Sequence, residues 1–191
     1  MMNQTEKAET LIFYYARERF FRKIQNICQE ELSTKGDSVF SLWNAYGLFK
    51  EGAVSEALKE TTGLMGRREV GLPATVACLH YHEKMPSVDQ DAVRDLKQRV
   101  QSELQSASDH AVLTTAMLQM LFEDFTNARA NARKVAEAVP SPLAFAIKGW
   151  VEHEAANAAS IANQAKASAD AIEKCSAAFE AAMRQRGGDQ V

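Results

Sequence analysis

The chain has 191 residues, 46% hydrophobic and 25% charged, with 9 Gly and 4 Pro; this is the composition of a folded chain and excludes a disordered or collagen-like one. Lys and Arg number 22 against 25 Asp and Glu, for a net charge of -3 with no basic block, so a nucleic-acid partner is not expected. No apolar run approaches the roughly 20 residues that span a bilayer, so direct membrane insertion is not expected either.

Alanine is abundant, above all after Asn127, and the alternation of Val, Ile and Thr typical of strands is nearly absent. An all-α chain follows. Residues 1–7 are polar and lack the apolar core of a signal peptide. The first helix is predicted over about 6–17, with Leu11, Ile12, Tyr15 and Ala16 on one face. The second runs from about 20 or 21 to 33 and carries Phe21, Ile24, Ile27, Cys28 and Leu32. Gly36 suits the place after a helix end, and Asp37 suits the next N-cap.

The third helix is predicted over 38–50. The fourth spans about 55–65 and ends near Gly63 or Gly66. Gly71-Leu72-Pro73 marks the fifth, over 73–83, with Pro at its first position. Met85-Pro86 interrupts the chain. Ser87 with Gln90 three residues later reads as a capping box for a sixth helix over about 88–106. That helix is polar, with a thin stripe of Val93, Leu96, Val100 and Leu104. Asp109 reads as the cap of a seventh helix, 110–122, and an eighth follows over 126–138. Pro140-Ser141-Pro142 stops it, Ser141 capping a ninth that starts at Pro142. The ninth reaches about 155. Residues 156–169 contain no sharp breaker and either extend it or form a loose connection. A last helix over about 168–186 carries Ile172, Cys175, Phe179 and Met183, and residues 187–191 form a frayed tail.

Segment 44–58 is the most informative. Ala45 is a small residue inside a helix, Gly52 breaks that helix, and Ala57 is a small residue where the next one crosses back. This is the core of a tetratricopeptide helix–turn–helix unit, a packing device with a period of about 34 residues. Starting one unit at Ser38 places Ala45, Gly52 and Ala57 on its key positions. Starting another at Asp109, 71 residues on, places Ala116, Phe125, Ala128 and Pro140 on theirs. A single repeat domain over 1–191 is expected, a tetratricopeptide α-solenoid of about five antiparallel helix pairs. Its units lie near 5–37, 38–71, 72–108, 109–142 and 143–186. The first unit lacks a glycine at its turn, and the third has an insertion before its second helix.

The run Leu11-Ile12-Phe13-Tyr14-Tyr15-Ala16-Arg17-Glu18-Arg19-Phe20-Phe21 resembles the start of the tetratricopeptide repeat protein 21 family. The resemblance continues through Asn44-Ala45-Tyr46-Gly47 and Glu51-Gly52-Ala53-Val54-Ser55-Glu56-Ala57-Leu58, and includes the insertion at Met85-Pro86 and the step Lys148-Gly149-Trp150. It covers most of 11–150 and fades after Ala155. Members of that family are much longer repeat chains. The resemblance therefore implies an N-terminal piece of one, a scaffold subunit of the intraflagellar transport A complex. It implies a role in retrograde ciliary transport and ciliary membrane-protein trafficking, other subunits of a transport complex as partners, and a place in the cytoplasm, the cilium or flagellum and its base.

The residues themselves offer no catalytic chemistry. His80 and His82 flank Tyr81 and, two apart on a helix, diverge. His110 and His153 have no metal-spaced partners, and Glu152-His153-Glu154 reads as a solvated face. No phosphate loop, nucleophile elbow or zinc motif is present. Neither an enzyme, a cofactor nor a bound metal is expected. Cys28, Cys78 and Cys175 are far apart and read as buried hydrophobes.

The inner-facing positions are Leu42, Tyr46, Phe49, Val76, His80, Leu113, Met117 and Met120. They are too apolar for the Lys, Asn and Arg clamp that grips a peptide carboxylate. They are either a groove for a linear peptide of a partner, as in a stand-alone adaptor, or internal packing, and packing is the preferred reading. Exposure of Tyr46, Phe49 and Met117 decides between the two. An open apolar face at Ile172, Phe179 and Met183, available for self-association, is the final expectation.

Overall fold

The computed structural model describes the backbone of residues 4–34 and 36–187, and the side chains of residues 7–34, 36–166 and Ala169. Nine helices are described: α1 (Gln4–Arg17), α2 (Phe21–Thr34), α3 (Ser38–Lys50), α4 (Val54–Leu64), α5 (Gly71–Glu83), α6 (Gln90–Ser106), α7 (Asp109–Leu121), α8 (Phe125–Ala138) and α9 (Pro142–Gly187). Among the described residues there is no strand, as expected from composition.

Most helix ends follow their sequence signals. Gly36 holds φ +66°, and the Asp37 carboxylate accepts from Val39 N at 3.1 Å to cap α3. Ser141 Oγ accepts from Ala144 N at 3.1 Å at the start of α9. Two caps differ from expectation. Asp89, not Ser87, caps α6, accepting from Asp91 N and Ala92 N. A carboxylate at a helix N-terminus is favoured by the dipole as well as by hydrogen bonding, so it displaces the neighbouring serine. Ser108, not Asp109, caps α7 through Ala111 N at 3.2 Å, and Asp109 becomes the first helical residue.

The expected fifth pair is one helix. α9 runs from Pro142 to Gly187 without a turn. Nothing in 156–169 breaks it: the stretch is rich in Ala and has neither Pro nor Gly. Gly149 does not break it either. The side chains of Ile172, Cys175, Phe179 and Met183, and residues 188–191 of the tail, lie outside the described residues.

The chain divides into two compact units, Met1–Val151 and Glu152–Val191. In the first, α1 to α5 stack in chain order, each on the next. The pattern then changes: α6 packs on α5, while α7 packs on α5 and α8. The inner helices α3, α5 and α7 are buried on almost all sides. In α7 every residue over 111–120 is buried. The outer helices α2, α4, α6 and α8 bury one face each. Ile24, Phe40 and Leu42 are fully buried, each contributing roughly 1.5–3 kcal/mol of hydrophobic stabilisation.

Three of the four hairpin turns share one geometry. Arg19, Gly52 and Glu123 each adopt a left-handed φ, of 59°, 89° and 66°. In each turn the next N–H donates to the carbonyl five residues back: Phe20 to Tyr15, Ala53 to Leu48, Asp124 to Gln119, at 2.8–2.9 Å. This closure satisfies the orphan carbonyls of a helix end. The α5–α6 connection, which holds the Met85-Pro86 insertion, lacks a left-handed residue.

A close backbone approach joins α2 to α3. A Cβ placed on Gly47 would lie 2.9 Å from Gln25 Cγ and 3.2 Å from the Phe21 carbonyl oxygen. The small residues named from sequence are also in tight places: Ala45, Ala57, Ala116 and Ala128 are fully buried. Phe125 is half-buried at the start of α8, and Pro140 is exposed just beyond its end.

Candidate interaction surface

The inner stripe is closed. Leu42, Val76, Leu113, Met117 and Met120 are buried, and Tyr46 is 2% exposed. Only Phe49 and His80 of that set keep partial exposure. Of the three deciding residues, Tyr46 and Met117 are buried and Phe49 keeps partial exposure, so most of the stripe is internal packing, with Phe49 and His80 at its edge.

Aromatic rings close it. Phe49, Tyr81 and Phe122, near the C-terminal ends of α3, α5 and α7, converge. Phe49 stacks on Tyr81 with centroids 4.2 Å apart and planes 17° apart. His80 lies flat on Phe122 at 3.9 Å and 6°. Tyr46 reaches Phe122 at 6.0 Å and Trp43 at 5.9 Å, and Trp43 meets Phe13 of α1 edge-on at 5.3 Å. Such pairs add about 0.5–1.5 kcal/mol each beyond area burial. Lys50 sits over this knot, 5.6 Å from the Tyr46 ring and 5.9 Å from that of Phe122, with Nζ donating to the Leu121 carbonyl at 3.5 Å.

Burial sets the electrostatics here. It pushes the His80 imidazole down to about 4, with Lys84 and Lys50 adding to the effect and Glu83 and Asp124 opposing it. It also draws the Lys50 ammonium down against the nearby Glu123. The Cys28 and Cys78 thiols are buried and raised by desolvation, so both are protonated and inert. Cys175 lies outside the described side chains. No group of three or more His, Cys, Asp or Glu suited to a metal ion occurs among the described residues. None of their helices is long and apolar enough to cross a membrane.

The open surface adjoins this stripe and shares Val76 and His80 with it. A cleft of about 810 Å³ runs between α6 and α8, floored by α5 and α7. It lies where α6 packs on α5 and α8 packs on α7. Leu72, Val76, Leu79 and Leu104 supply apolar floor and wall. Gln98 and Gln101 line it from α6, and Asn127 and Asn131 from α8. Where the α8 wall meets the α7 floor, Asn131 Nδ2 donates to Gln119 Oε1 at 2.8 Å, and both residues are under 10% exposed. At one end Lys134 Nζ reaches the Leu104 carbonyl at 3.4 Å and bridges the two walls. No sequence signal marks this cleft: Gln98, Gln101, Asn127 and Asn131 sit on outer helices whose polar residues look solvated, and Gln119 is a single amide in the apolar run of α7.

Comparison with known proteins accords with the repeat architecture. A family model described as the tetratricopeptide repeat protein 21 N-terminal ARM repeat matches residues 12–187. Human tetratricopeptide repeat protein 21B is 30% identical over 109 residues, covering 56% of this chain and 8% of that protein. The Xenopus laevis protein of that name is 25% identical over 143 residues, 74% of this chain and 11% of its own length. Mouse tetratricopeptide repeat protein 21A is 26% identical over 147 residues, with the same two coverages. The chain thus spans about a tenth of the length of these relatives.

Proposed function

We propose that this chain, which belongs to the tetratricopeptide repeat protein 21 family, is a non-catalytic protein–protein scaffold forming the N-terminal part of an intraflagellar transport A subunit. Its partners are other protein subunits of that transport complex. It works in the cytoplasm and in the cilium or flagellum and its base, in retrograde transport and the trafficking of ciliary membrane proteins. The observation that carries the scaffold reading is the recurrence of one turn geometry at Arg19, Gly52 and Glu123. A chain built by stacking such units holds its surfaces in fixed relation, which suits a platform for other proteins. The transport assignment rests on the family resemblance.

The test is replacement, in ciliated cells, of the full-length protein by a version lacking residues 1–151. Full-length protein enters cilia, and the truncated one leaves cargo accumulating at ciliary tips. Normal retrograde transport with the truncated protein at equal abundance would refute the reading.

A second reading, an adaptor that takes a linear peptide of a partner, is favoured by one observation. A cleft of about 810 Å³ opens between α6 and α8.

A further inference from the structure

We propose that two copies of this chain pair through the outer face of α1, antiparallel and about a two-fold axis. This goes beyond the transport reading and does not depend on it.

The inner face of α1 belongs to the core: Ala8, Ile12 and Ala16 are buried, and α1 packs on α2. On the other side Lys7, Leu11, Tyr14 and Glu18 form a ridge, all four exposed. Leu11 is 46% and Tyr14 50% exposed. Glu18 lies one residue past the helix, yet its N–H donates to the Tyr14 carbonyl at 3.0 Å, so it continues the ridge. A single exposed leucine is ordinary. Two large apolar residues one turn apart, with a cation at one end and a carboxylate at the other, are arranged for contact.

The order of the ridge names the occupant. Its spacing is four, three, four, the repeat by which two helices interlock their side chains. That spacing reads the same in both directions. Turned end for end, a second copy sets its Tyr14 on Leu11, its Leu11 on Tyr14, its Glu18 on Lys7 and its Lys7 on Glu18. An isologous interface requires this kind of self-match. A parallel copy would set Lys7 on Lys7 and Glu18 on Glu18, so charge selects the antiparallel one.

The neighbouring charges fit this arrangement. Arg17 donates to Glu18 Oε1 from Nε at 3.0 Å and from Nη2 at 2.8 Å, and its guanidinium lies 5.8 Å from the Tyr14 ring centroid. It holds the Tyr14–Glu18 end in place, which lowers the cost of ordering it on contact. It also offsets part of the Glu18 charge. Affinity therefore rests on burying Leu11 and Tyr14, and charge sets direction. Glu9 is half-buried and off the ridge. Arg22 and Lys23 belong to α2, where Arg22 pairs with Glu51 at 3.6 Å and Lys23 lies over the Tyr15 and Phe20 rings. Helix α1 has 14 residues. Contact over that length buries less than the roughly 1,200–2,000 Å² of a standard specific interface, so the dimer is weak and concentration-dependent.

The test is sedimentation equilibrium of the 191-residue chain over a concentration series. A monomer–dimer equilibrium is expected. Leu11→Gln removes central apolar area and should weaken it by about tenfold. Lys7→Glu or Glu18→Lys alone puts like charges at both ends and should weaken it by about tenfold too. The double variant should regain the dimer, and so should an equimolar mixture of the two single variants, which sets altered end on altered end. All these positions are exposed, and melting curves check that each variant stays folded. A chain that is monomeric at every concentration would overturn the proposal and leave this face to another protein or a lipid surface. So would a dimer unchanged by Leu11→Gln, which would place the contact elsewhere on the chain, or single and double charge variants that behave alike.

Discussion

Arg19 and Gly52 occupy the same place in successive hairpin turns, 33 residues apart, both left-handed and both followed by an N–H that reaches back five residues. One is a glycine and the other is not. The turn geometry is therefore imposed by helix packing, and residue type only sets its cost. A left-handed non-glycine costs about 1–2 kcal/mol. Gly52→Ala should destabilise the chain by about 1 kcal/mol after the gain from a stiffer unfolded chain. Glu123→Gly, at the equivalent place, should stabilise it by about 0.5–1 kcal/mol. Urea denaturation midpoints check both, and a neutral Gly52→Ala would contradict the shared geometry.

Gly47 lets α2 and α3 approach. A methyl group there meets Gln25 Cγ, which can move, and the Phe21 carbonyl, which cannot without shifting α2. Gly47→Ala should cost about 1–3 kcal/mol despite the better helix propensity of alanine. A thermal melt shifted upward would show that the approach is looser than described.

Tyr81 is buried with its hydroxyl unpartnered, while its ring stacks on Phe49. Tyr81→Phe keeps the stack and removes the unsatisfied oxygen. It should be neutral or stabilising by up to about 1 kcal/mol. Tyr81→Leu should lose about 1–3 kcal/mol through the lost stack and the poorer fit. Denaturant titration separates the two, and a destabilised Tyr81→Phe would mean that the hydroxyl has a partner.

His80 should make stability pH-dependent. In the unfolded chain it titrates near its ordinary 6.5, and in the fold burial holds it at about 4. Between those values the unfolded state binds more protons. The contribution is therefore complete above 6.5 and is lost as pH falls toward 4. Attraction of a charged imidazole to the Phe122 face and the partial exposure of His80 reduce the loss. Between pH 7.5 and 5, wild type should lose about 1 kcal/mol more than His80→Phe. Glu60, raised by burial against its bond to Asn44, works the opposite way at the acid end, so the difference between the two chains is the quantity to measure. Equal pH slopes would remove His80 from the account.

What was legible from sequence had strong local punctuation. α3 matches its expected bounds because Asp37 caps one end and Gly52 closes the other. The Ser141-Pro142 start of α9 is equally plain. The α6 and α7 caps shifted by one or two residues because several polar residues stand side by side, and backbone geometry chooses among them. The length of α9 was left open by a stretch with no breaker. Arg19 and Glu123 carried no turn signal at all, since neither is a glycine. The apolar character of the inner stripe is legible in the sequence. Its closure depends on how tightly α3, α5 and α7 converge, which hydrophobic periodicity does not encode. The cleft is invisible for the same reason: it lies between helices whose spacing the sequence pattern does not carry.

We propose that the chain is the opening part of a protein scaffold in a transport complex. The most direct measurement is affinity purification of the full-length protein from ciliated cells, with the other transport A subunits quantified against it. Near-stoichiometric recovery of those subunits at physiological salt is the expected result. Recovery of folded full-length protein with none of them would contradict it.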